Sequence, residues 1–150
     1  MTHPQSPTYL DQQVARVAAV LGAQNVFDAA PLELYCMDFE TVTLFFKYTR
    51  AGAGGAFAFR IDVSPNGVGA GDWYRQTLYA AQAVATNVDS RSDFQREDIE
   101  YGSTGAAAEL TVFGPIYLSG SIERIRVAAA ETSAAGAGTL EIRAVFGAVS

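Results

Sequence analysis

The side chains able to do chemistry are few and scattered. Cys36 is the single cysteine and His3 the single histidine. A thiol nucleophile needs a base to take its proton, and His3 lies in a Pro-flanked polar terminus, far from the apolar run around Cys36. Cys36 therefore reads as a small buried hydrophobe, and being alone it closes no intramolecular disulfide. Asp38 and Glu40 sit at spacing two and would share one face of a strand. Glu97, Asp98 and Glu100 form a second acidic knot. Paired carboxylates can act on glycosides, with Asp38, Glu40 or Glu100 as the acid or base, and acidic loops can bind calcium. Neither group has His, Asn or Arg at telling spacing, and no EF-hand order is present. They read as a strand entry and a solvated loop. The run GVGAG, Gly67 to Gly71, lacks the Lys-Ser/Thr of a phosphate loop and is not followed by a helical pattern, so it reads as a strand connection. No catalytic residue, cofactor or metal ligand is assigned, and the chain is expected to be non-enzymatic.

Residues suited to recognition are easier to find. Trp73 and Tyr74 follow the glycine loop; Trp and Tyr near a loop edge anchor interfaces or stack on sugars. With Tyr79 they would supply the platform of a carbohydrate-binding module, and core packing of Trp73 is the bland alternative. The segment Glu123–Arg124–Ile125–Arg126 places Arg124 and Arg126 on one strand face, where they need acidic partners if covered. Nine of the ten basic residues are Arg, with Lys47 the exception. Arg suits planar contacts with carboxylates at buried interfaces. The formal charge of -6 and the absence of a basic cluster argue against nucleic acid, whose binding rests on phosphate neutralisation. No apolar run is long enough for a membrane helix. The start of the chain does not read as a signal peptide, so the protein is expected to stay in the cell or leave within a larger particle.

These residues must be positioned by strands. With 150 residues, 49% hydrophobic and 17% charged, the chain can bury one sizeable core. Residues 1–31 form an N-terminal arm or a short helix: Asp11 would cap it, Val14, Val17, Ala18 and Leu21 have helical spacing, and Gly22 would stop it. Tyr9, Leu10, Val14, Val17 and Leu21 are its candidate contacts to another subunit. Residues 32–150 form the β domain. Strands are expected over 32–37, 40–49 and 56–63, the last two as a hairpin. In Glu40–Thr49, Val42, Leu44, Phe46 and Tyr48 share one face; Thr41, Thr43, Phe45, Lys47 and Thr49 share the other. Further strands are expected over 73–80, around Ile99 and Tyr101, over 107–118 with a break at Gly114–Pro115 that implies an edge or bulge, over 121–131 and over 139–147. Seven to nine short strands with Gly-rich turns indicate an all-β antiparallel β-sandwich or jelly roll.

Four stretches carry a family resemblance: Glu40–Thr49, Asp72–Tyr74, Glu123–Glu131 and Gly138–Gly147. In texture and strand order, residues 32–147 resemble the small jelly-roll capsid auxiliary, or decoration, proteins of tailed bacteriophages. The resemblance implies a virion protein made in the host bacterial cytoplasm. It would form homotrimers, seat on the major capsid protein at local three-fold positions, and cement the shell through its arm and its flat Thr- and Arg-bearing strand faces. It implies no catalytic residues. A tail, neck or head-fibre component is the neighbouring alternative, and a glycan-binding sandwich the more distant one.

Overall fold

The computed structural model describes residues 9–67, 71–76, 78–79, 95–96, 98–102, 108–118 and 120–148. They contain eleven strands and no helix: β1 Tyr9–Val20, β2 Glu33–Tyr35, β3 Thr41–Thr49, β4 Ala56–Pro65, β5 Tyr74–Arg75, β6 Leu78–Tyr79, β7 Gln95–Arg96, β8 Ile99–Gly102, β9 Ala108–Tyr117, β10 Ile122–Glu131 and β11 Thr139–Ala148. Two antiparallel sheets form a sandwich. Sheet A has the order β1-β11-β3-β9, and sheet B the order β2-β10-β4-β5. β8 pairs with β4 at residues 56–59, while β5 pairs with it at Asp62 and Val63. β6 and β7 make a separate small pair.

Period-two sequence produces the core directly. Val42, Leu44, Phe46 and Tyr48 of β3 and Leu140, Ile142, Ala144 and Phe146 of β11 point inward from sheet A. Phe57, Phe59 and Ile61 of β4 and Ile125, Val127 and Ala129 of β10 answer from sheet B. Phe46 packs on Phe57 at 5.3 Å and on Phe59 at 4.7 Å between ring centroids. Each such side chain removed from water contributes roughly 1.5–3 kcal/mol before entropy is charged against it.

Two local expectations give way. The segment with helical spacing is a strand, not a helix: β1 pairs with β11 from Tyr9↔Ala148 to Val20↔Thr139. Register shifts between Val14 and Arg16 and between Arg16 and Ala19 change the phase of the strand. Bulges break strict alternation, so Ala15 and Leu21 are buried while Val14, Val17 and Val20 are exposed. Apolar spacings of three and four thus imitate a helix. The second correction concerns β3 and β4, which are not a hairpin. β3 pairs with β11 and β9, and β4 with β10, β5 and β8. Each buries a full row of large side chains, which favours stacking face to face over pairing edge to edge.

The long strands change sheet at nearly every connection. In chain order β1, β2, β3 and β4 alternate A, B, A, B; β8, β9, β10 and β11 then run B, A, B, A. A buried carboxylate locks one end. Glu131, at the end of β10, accepts hydrogen bonds from Tyr48 Oη (2.7 Å), Gly138 N (2.9 Å), Ala56 N (3.0 Å) and Ser133 Oγ (2.6 Å). Burial alone would push this carboxyl up. The donors from Ser133, Gly138, Ala56 and Tyr48 outweigh burial and hold it below the ordinary carboxylate range. Gly138 is obligatory here, because a Cβ would stand 2.6 Å from the Tyr48 ring.

Candidate functional site

The chemistry-bearing residues do not converge. Cys36 is buried, its Sγ 3.9 Å from the Ile122 carbonyl. Burial first, and Glu123 second, push its thiol up to about 11, which keeps it protonated at neutral pH and a poor nucleophile. His3 and Glu97 lie outside the described residues. Asp38 is exposed in a turn. Glu40 is exposed too, and its backbone fastens two segments: its N–H donates to Gly147 and its carbonyl accepts from Leu118. Asp98 and Glu100 are half-buried. Among the described residues no three His, Cys, Asp or Glu side chains are grouped to hold a metal. In the glycine loop, Gly67 and Gly71 take positive φ, and the Gly71 N–H donates to Ser64 Oγ; residues 68–70 lie outside the described set.

The recognition residues fall on two opposed surfaces, the outer faces of the two sheets. On sheet B the structure brings Trp73, Arg124 and Arg126 together. Arg126 lies 4.2 Å and Arg124 5.7 Å from the Trp73 ring centroid. In the ladder Arg126 is opposite Asp62, and Asp62 opposite Arg75. The Asp62 carboxylate accepts from Arg75 Nε at 2.6 Å and from Arg126 Nε at 3.2 Å, while Arg124 donates to Glu33 at 2.7 Å. Phe27 stacks under Arg60 at 4.2 Å. Ala58, Asp62, Ser64, Ala128 and Ala130, which point away from the core, are nonetheless buried. The chain has finished this face with its own loops. Tyr74 is exposed beside it.

Sheet A is finished differently. Its outward residues follow from the register: Leu10, Gln12, Val14 and Val20 on β1, Thr139, Glu141, Arg143, Val145 and Gly147 on β11, Thr41, Thr43, Phe45, Lys47 and Thr49 on β3, and Ala108, Leu110, Val112 and Tyr117 on β9. One row across the four strands reads Val14, Arg143, Phe45, Val112. Apart from the half-buried Val145, the large apolar members stand in solvent, from 45% exposed for Val14 and 46% for Phe45 to 78% for Leu110 and 81% for Tyr117. Contiguous exposed apolar surface of this kind marks an interaction site.

Of the expected contacts on β1, Leu10, Val14 and Val17 are exposed. Leu21 is a correction: it is buried in the core, because the two bulges turn it inward and its N–H donates to the Gly138 carbonyl. Tyr9 opens β1 opposite Ala148; its side chain, like that of Tyr79 in β6, lies outside the description. Sequence reasoning missed Leu110, Val112 and Tyr117. The signal was present in Ala108–Tyr117, where apolar residues occupy both phases of the alternation. No known protein family, curated protein or solved structure matches the chain at a significant level.

Proposed function

We propose that this chain is a virion structural protein, a capsid decoration or cement protein that works by packing against other protein chains. The observation that carries the reading is the bare apolar outer face of sheet A, opposite a sheet whose outer face is already covered. The exposed aliphatic and aromatic side chains of this face offer area for burial, which is what a cement function needs. Strand order supports the same reading. The alternation A, B, A, B followed by B, A, B, A is the order we take for a jelly roll wound from two Greek keys, an architecture used by viral capsid domains.

The carbohydrate alternative has less support, because Trp73 is engaged by the guanidinium groups of Arg126 and Arg124 within the chain. The test is binding to particles. Purified protein mixed with tailed-phage heads from the same source should co-sediment with them, and antibody label should fall on the head. Label on tail or neck moves the protein to the neighbouring alternative, and no binding to any particle ends the virion reading.

A further inference from the structure

We infer that the outer face of sheet A is covered in solution by a second copy of this chain. The inference rests on the assembly reading above and names its partner. Size is the first argument. Four strands at about 4.8 Å spacing, with β3 nine residues long at about 3.3 Å per residue, give a projected face of about 600 Å². Side-chain relief brings this close to the roughly 800 Å² per partner of a standard interface. The second argument is charge. Among the described residues, only Lys47, Glu141 and Arg143 bring charge to this face, with Arg143 Nε 3.1 Å from Glu141. The whole chain carries -6. Two copies repel least when they meet through the surface where acid does not accumulate, and charges of both signs let this face meet its own kind.

Composition across the face fits the same partner. Aliphatic side chains hold both rims: Leu10, Val14 and Val20 on β1, Leu110 and Val112 on β9. Phe45 stands near the centre with Val112 as its register partner. Large desolvated anchors near the middle of a patch dominate association energy.

The experiment is sedimentation velocity of the full chain at tens of micromolar, with Phe45→Glu and Val112→Glu on sheet A and Tyr35→Glu and Tyr74→Glu as controls elsewhere. Near-ultraviolet circular dichroism checks that each variant is folded, and Phe45→Thr repeats the test without an added charge. The native chain and both controls should sediment above the monomer. The two sheet A glutamates should return it to monomer, with association weakened at least tenfold, and Phe45→Thr should weaken it by less. A native monomer at this concentration, a folded glutamate variant that assembles like the native chain, or controls that dissociate equally would overturn the inference. Head binding measured in parallel separates the two claims. A monomer that binds heads overturns the partner and keeps the virion reading; an oligomer that binds no particle does the reverse.

Discussion

The two outer faces of the sandwich began from similar sequence, a strand with one apolar phase and one mixed phase, and ended differently. On sheet B the outward phase mixes charged with small residues, and every described cation there meets an acid or a ring: Arg75 and Arg126 on Asp62, Arg124 on Glu33 and Trp73, Arg60 on Phe27. Loops before β2 and after β4 supply those rings. On sheet A the outward phase sets aliphatic and aromatic residues among threonines and three charges, and its large apolar side chains on β1, β3 and β9 stay in water. The contrast teaches that exposure of apolar surface is a local choice in this fold. The same chain that closes one face with its own loops leaves the other open, so the open face is the one with unspent burial free energy.

Substitutions can sharpen or break this contrast. The largest effect lies at the junction that belongs to both sheets. Replacing Glu131 with Ala should orphan donors from β3, β4 and the loop before β11, costing on the order of 4 kcal/mol and loosening both faces at once, read as a lower urea midpoint. The native carboxyl is held below its ordinary range, so its contribution is fully present above that range. It is lost as pH falls through the folded value. Stability should therefore drop on acidification in the native chain and respond less in Glu131→Gln, measured by thermal melts across acid pH.

Next comes Asp62→Ala, which removes the carboxylate shared by Arg75 and Arg126 on a covered face. Because those arginines are 28–29% exposed, solvent offsets part of the loss, and about 2 kcal/mol is expected. Trp73→Ala should cost about 1 kcal/mol from lost ring–cation contact, with self-association unchanged. Smallest in stability is Phe45→Thr, expected within about 0.5 kcal/mol of the native monomer while association weakens. If Phe45→Thr destabilised the monomer as much as Asp62→Ala, the two faces would not differ in the way described.

Legibility in the sequence followed the same division. The core strands β3, β4, β10 and β11 were readable because alternation places Val42 to Tyr48 or Leu140 to Phe146 on one side without interruption. β1 was not, since its bulges convert a period of two into spacings of three and four. The pairing of β3 with β11 and β9 was hidden too: nothing local to Glu40–Thr49 says that its neighbours lie at residues 108–117 and 139–148. Arg124 and Arg126 were recognisable as a pair seeking acids, but the acid, Asp62, comes from another strand. Glu131 gave no signal. A single carboxylate after four apolar or small residues looks like a strand exit, and only the tertiary fold shows four segments, β10, β3, β4 and the loop before β11, donating to or carrying it.

One feature of the sheet order bears on how the protein comes to exist. β11 lies between β1 and β3, and β10 lies between β2 and β4. Sheet B has no bridging strand until the chain has been made to residue 131, and sheet A none until residue 148. A nascent chain ending near residue 120 could pair β3 with β9 and β4 with β5 and β8, but β1 and β2 would have no strand to join and the apolar faces would lack full cover. Contacts of such long sequence separation close slowly. Folding of this sandwich should therefore wait until β11 has been made, and deletion of that strand should yield aggregate rather than a smaller domain.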